Sequence, residues 1–281
     1  MKKGLKYSAY ILILFLIGLI LFYCLFLLLT KPSNNRDWAK DMKVLSAATI
    51  MGDIIILDNV RNNNYRSTTD FDVKYYQGKY DINKLKKVYL ITDPFGKLSS
   101  HTMLSFEFSD NKSVVMSVEI RREEGEVFEN FKGMFRGYEL YYVWADEKDV
   151  IKLRTNYRMD NVYMYELDMA EENVQKLFIE AMRRTNQLKD KPEFYNLLVN
   201  NCTTNIAEML QVVYNKPIIV DWRYLVPAYA EGLSMKYDLI QGSSIEDVRK
   251  NHNISPNALI CGDCNDYSNV IRKIFIDNTL Y

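Results

Sequence analysis

From Ser99 to Arg121 the chain reads Ser99-Ser100-His101-Thr102-Met103-Leu104-Ser105-Phe106-Glu107-Phe108-Ser109, then Asp110-Asn111-Lys112-Ser113, then Val114-Val115-Met116-Ser117-Val118-Glu119-Ile120-Arg121. Both outer runs are rich in β-branched and aromatic residues, which pack well on a pleated surface, and the polar join favours a turn. The stretch therefore predicts a β-hairpin. Lys87–Thr92 leads into it through a Pro94–Gly96 turn, and Tyr138–Trp144 and Val162–Leu167 add two further strands. An amphipathic helix follows over Ala170–Leu188, with Val174, Leu177, Phe178, Ala181 and Met182 on one face. After the apolar run Phe194–Val199, a second helix carries Ile206, Met209, Leu210 and Val213 at core spacing and stops before Pro217. Upstream, Asp37–Ala48 predicts a helix, Ile54–Leu57 a buried strand and Asn59–Tyr80 an ordered polar loop. Strands and helices of this kind, without an alternating βαβ order, place the chain in the α+β class.

The N-terminus is a different material. Ser8–Leu29 is an uncharged apolar run, and at about 1.5 Å per residue a helix of that length crosses a hydrocarbon core of roughly 30 Å. Lys2, Lys3 and Lys6 precede it, which predicts a cytoplasmic N-terminus and an exported remainder. A cleaved signal peptide fits less well, because the run exceeds a short h-region and no small-x-small site follows. The expected organisation is an anchor over 1–30, a linker over 31–37 and one folded domain over 38–281. With 36 basic and 36 acidic side chains, the chain lacks the net positive charge that phosphate backbones attract, so no nucleic-acid partner is expected. No glycine-rich phosphate loop precedes a helix, and no cofactor is expected. Cys24 falls in the apolar run and Cys202 stands alone. Cys261-Gly262-Asp263-Cys264 allows a short-loop disulfide, half a zinc site or two thiols; without a second ligand pair, no metal site is expected.

Cys202 opens the second helix, in Asn200-Asn201-Cys202-Thr203-Thr204-Asn205, with Asn200 or Asn201 as the N-cap. The positive end of the helix dipole stabilises a thiolate there. Of the two histidines, His252 sits in a polar stretch expected to be a surface turn, whereas His101 begins a hairpin strand. An imidazole near neutral pKa suits proton exchange with a thiol. A third polar group fixes its tautomer, and on the facing strand Glu119 is the choice, subject to a one-residue register. Arg61 and Arg66 are candidates for a phosphate or carboxylate.

The sequence resembles the bacterial family of the Lnb N-terminal periplasmic domain. The likeness runs through Asn59-Val60-Arg61, His101-Thr102, Ser117 to Glu126, Leu153-Arg154-Thr155, Phe194-Tyr195-Asn196, Asn201-Cys202-Thr203-Thr204-Asn205 and Trp222. It spans about Trp38 to Ile271. The order of a strand histidine followed by a helix-opening cysteine is also similar to permuted papain-like enzymes of the NlpC/P60 group, which implies an antiparallel sheet packed on helices. The resemblance implies a bacterial inner-membrane protein that N-acylates lipoproteins. Cys202 and His101, with Glu119, would be catalytic, and Arg61, Asn201 and Thr203 would contact substrate. Cys202 would take an acyl chain from a membrane phospholipid as a thioester, and the α-amine of a lipoprotein would receive it. Amides at the start of the Cys202 helix would hold the oxyanion. The oligomeric state is not legible. Two other readings stand beside this one. A papain-like peptidase or amidase acting on peptides or cell wall predicts a polar cleft, while the acyltransferase predicts an apolar channel. A non-catalytic envelope scaffold makes Cys202 structural.

Overall fold

The computed structural model describes residues 2–215 and 221–273. Helix α1 (Lys2–Leu29) contains a 20-residue apolar segment, Tyr10–Leu29, long enough to span a membrane. Next come β1 (Ala47–Met51), β2 (Ile54–Arg61), the short β3 (Asn64–Tyr65) and β4 (Phe71–Asp72), and β5 (Tyr75–Asp81). The hairpin strands follow as β6 (Leu85–Pro94), β7 (Ser100–Phe108) and β8 (Ser113–Arg121). Helix α2 (Asn130–Met134), β9 (Glu139–Ala145), α3 (Glu147–Lys152) with a π turn over Leu153–Arg158, and β10 (Tyr163–Glu166) lead to the long α4 (Glu171–Asp190). Strand β11 (Glu193–Phe194) precedes α5 (Cys202–Tyr214), and then come α6 (Ala230–Lys236), α7 (Ile245–His252), α8 (Ser255–Cys261) and α9 (Tyr267–Arg272). The protein is α+β, as its sequence predicts. Pro217, the expected helix stop, lies outside the described residues.

Among the described residues, the main sheet runs β1-β2-β9-β8-β7-β6-β10, with β5 on β2 and β11 on β9. It is antiparallel except where β2 meets β9 in parallel at Arg61 and Ala145, so the sheet is mixed rather than purely antiparallel. Alternation along the strands sends side chains to two layers. Leu104, Phe106, Val114, Met116, Val118 and Trp144 face α4 and α5, where Phe178 packs edge-on against Phe106 and Trp144. Ile91, Met103, Val115 and Tyr141 face the other layer, with Val150, Ile254, Ala258 and Ile271.

Two stretches depart from the sequence expectation. Asp37–Ala48 is not a helix: Ala39 N–H donates to Arg122, and Arg121 donates to the carbonyls of Met42 and Lys43. Those groups are thus engaged with the sheet edge instead of with one another. Asn59–Tyr80 is not a loop. Strand β2 continues to Arg61 through a bulge at which Asn59 takes φ 60°, and β5 pairs along it. His252 likewise ends α7, beside the Tyr165 ring, rather than lying in a turn.

Candidate thiol active site

Asn201 N-caps α5. Its carboxamide oxygen accepts from Thr204 N–H at 3.0 Å, and Thr204 Oγ1 accepts from Asn201 N–H at 2.8 Å, closing a capping box. Cys202 is therefore the first helical residue, and its side chain is 2 % exposed. Its sulfur lies over β7, 3.9 Å from the Ser100 carbonyl oxygen, with Thr102 close by. The β7–β8 ladder makes room for this approach, because its pairing ends at Met103 and Ser117.

Continuing that register sets His101 opposite Glu119. His101 Nε2 lies 3.1 Å from Glu119 Oε1 and 2.7 Å from Ser117 Oγ, and Ser117 donates to the same carboxylate at 2.7 Å. With Nε2 so engaged, Nδ1 is the nitrogen left for the neighbouring thiol, to which His101 is electrostatically coupled. Beyond Glu119, Arg154 in the π turn donates to Glu119 at 3.1 Å and pairs with Asp93 at 3.0 Å. A buried line of charge thus runs from sulfur to imidazole, carboxylate, guanidinium and carboxylate.

The electrostatics follow from that line. Burial works against the imidazolium, but the Glu119 charge and hydrogen bonds to Cys202 and Glu119 outweigh it and raise His101 to about 9. Burial pushes the Cys202 thiol up, yet its hydrogen bond with His101, the His101 charge and Thr102 bring it below its ordinary value. Glu119, for which burial also acts upward, is held well below the carboxylate range by His101 and Arg154. Such a set favours a thiolate–imidazolium pair.

Beside the two strand and helix residues that follow His101 and Cys202 lies a largely apolar cavity of about 560 Å³, walled by Leu90, Ile206, Ala207, Leu210, Leu233 and Leu239, with Asp168, Gln211 and Asp238 also on its wall. Thr102 and Thr203 also line it, and neither buried hydroxyl has a hydrogen-bond partner among the described residues. Thr203 is thus placed where a bound molecule would meet it. The other two residues expected to contact substrate are placed elsewhere. Asn201 is wholly buried, capping α5 and donating to the Leu197 carbonyl at 2.8 Å. Arg61 is buried against Asp149, with Nη2 to Oδ1 at 2.7 Å, so the guanidinium braces β2 against α3. Arg66 is exposed and pairs with Asp70 and Asp72.

Sequence reasoning assigns no role to Ser117, Arg154, Asp93 or Tyr195. The two-residue spacing of Ser117 and Glu119 on one strand face is the signal that finds the first. Nothing local marks Tyr195, whose phenol lies beside Cys202 and whose burial keeps it protonated. Cys261 and Cys264 are joined as a disulfide, and among the described residues no cluster suits a metal ion.

A family model described as the Lnb N-terminal periplasmic domain matches residues 71–228, a span that includes His101, Glu119 and Cys202. No curated protein and no solved structure matches the chain.

Proposed function

The chain belongs to the family of the Lnb N-terminal periplasmic domain, and from that membership we propose that it is a cysteine-dependent acyltransferase of the permuted papain-like kind. Family and apolar N-terminal helix together fit a membrane-associated protein with a periplasmic domain. In this reading the helix is a single inner-membrane span with its N-terminus in the cytoplasm, the donor is a phospholipid and the acceptor is a lipoprotein α-amine. The observation that carries the reading is the Cys202–His101–Glu119 line, whose sequence neighbours Thr102 and Thr203 line a largely apolar cavity. Its volume is of the size that takes a small organic ligand, and its lining suits an acyl chain. Its exposed wall is more apolar than polar, which favours the lipid over a peptide.

Cys202 thiolate attacks the ester carbonyl, and the departing glycerol oxygen takes the proton of the His101 imidazolium, leaving a lysolipid and a Cys202 thioester. The acceptor amine then attacks the thioester. His101 takes the amine proton, an amide forms, and thiolate and imidazolium are restored. Of the helix-start amides, Thr204 N–H is taken up by the Asn201 cap, while the Tyr195 phenol lies beside Cys202. We therefore assign the oxyanion to the Thr102 N–H and the Tyr195 hydroxyl. Because Cys202 is nearly closed to bulk water, the thioester is protected from hydrolysis until an amine arrives.

Intact mass spectra of the detergent-purified chain test this, before and after incubation with a defined phospholipid, alongside Cys202→Ala. The expected result is one added acyl mass on the unsubstituted chain alone, released by neutral hydroxylamine. A folded chain that stays unmodified overturns the assignment of a phospholipid donor.

A further inference from the structure

The segment after β8 leaves a cluster of large apolar side chains in the open. Val127 is 74 % exposed and Phe131 72 %, and Phe128, Phe135, Leu198 and Val199 are exposed as well. They come from two segments that form one surface. Leu197 N–H donates to the Gly133 carbonyl at 3.0 Å, and the Asn196 carboxamide donates to Met134 at 2.8 Å. Phe131 and Phe135 pack as a tilted pair with centroids 4.7 Å apart. A contiguous apolar surface of this kind on a folded domain marks something that covers it.

What covers it is indicated by its neighbour. Arg136, directly after this segment, donates to the carbonyls of Leu27 at 2.8 Å and Thr30 at 3.4 Å, the last turn and exit of α1. A guanidinium there satisfies carbonyls that a helix end leaves open. The linker is equally fixed: Ser33 N–H donates to Glu139, Arg36 pairs with Glu139 at 2.8 Å, and Asn34 donates to the Leu188 carbonyl. The apolar surface is therefore continuous with the point where the span leaves the bilayer.

We propose that the surface of Val127, Phe128, Phe131, Phe135, Leu198 and Val199 inserts into the lipid interface beside α1 and seats the domain on the membrane. The occupant is a bilayer surface, in which aromatic and aliphatic side chains bury at the boundary of headgroups and acyl chains. The surface also ends next to the thiol. Val199 and Cys202 are three residues apart, so their Cα atoms lie within about 11 Å of each other. Seating this surface brings the nucleophile to the height of the interface without the domain leaving its anchor. The inference rests on α1 as a membrane span and not on acyl transfer.

The test uses the full-length chain in nanodiscs of phosphatidylcholine or of the same lipid brominated on its acyl chains. Phe131→Trp and Leu198→Trp are compared with Ile260→Trp, a residue 83 % exposed on α8 in the other layer. Emission from Trp38, Trp144 and Trp222 is subtracted using the unsubstituted chain. The added emission at 131 and 198 is expected to fall about twofold or more in brominated discs, with that at 260 unchanged. Quenching at 131 and 198 no greater than at 260 overturns the proposal and leaves the surface to a second copy or another protein. Co-elution of the chain with the discs reads the anchor separately, so failure of α1 to insert is distinguishable from failure of the surface.

Discussion

At the residue scale, the proton shared by Cys202 and His101 sets how the site responds to pH. The thiol ionises below its ordinary value and the imidazolium persists to about 9, so the reactive pair occupies the interval between the two. Thioester formation is expected to rise as pH climbs through the thiol titration and to fall as His101 loses its proton near pH 9. Glu119→Gln removes the charge that favours the imidazolium, so the alkaline limb should move to lower pH in a rate profile measured with a soluble ester donor. An alkaline limb that stays in place in this variant counts against Glu119 as the partner of His101. Tyr195→Phe should slow thioester formation by about a hundredfold, the typical cost of one oxyanion donor. Its thermal midpoint should shift by only a few degrees. An unchanged rate removes Tyr195 from the reaction. His101 and Glu119 were legible because hairpin register is local. Tyr195 was not, since its use depends on how β11 turns back under α5.

At the element scale, the first turn of α5 and the π turn after α3 hold the site from opposite ends. Asn201→Ala removes a cap that also ties the turn to Leu197. It should cost about 1–2 kcal/mol in urea unfolding and lower the thioester rate along with it. Full stability in this variant shows that the capping box is not what sets the first turn. Arg154 holds Glu119 and Asp93, both largely shielded from water. Arg154→Met leaves these carboxylates facing each other, and the expected loss is about 3 kcal/mol or more, read by the same titration. The hairpin, both long helices and the cysteine's place at a helix start were readable from periodicity and capping residues. The helix expected over Asp37–Ala48 was not formed, because hydrogen bonds to β8 and its exit compete with the helical ones. Likewise Asn59–Tyr80 is polar enough to read as a loop, yet β2 and β5 pair there across the bulge at Asn59.

At the scale of the whole molecule, the cavity is assembled from segments far apart in the chain. Leu90 comes from β6, Thr203 to Leu210 from α5, and Leu233 and Leu239 from α6 and the turn after it. If an acyl chain occupies it, Ala207→Phe should shorten the chain length that is accepted. Donors of graded length should show about a tenfold loss for the longest and little change for the shortest, measured as acyl mass on Cys202. An equal loss at every length points to disturbed packing instead of a filled cavity.

The sequence by itself determined the apolar N-terminal helix, the α+β class, the hairpin, and the places of a cysteine at a helix start and a histidine on a strand. Each depends on contacts along one helix, one strand or one turn, where residue type and spacing decide the outcome. Tertiary structure alone decided that His101 and Cys202 meet, that Arg61 braces Asp149, that Arg154 and Asp93 extend the charged line, and that a largely apolar cavity forms beside Thr102 and Thr203. It also decided that the exposed aromatic surface adjoins the exit of α1. Those outcomes join residues tens to more than a hundred positions apart, where hydrogen bonds and burial between elements outweigh local preference and leave no periodic mark in the chain.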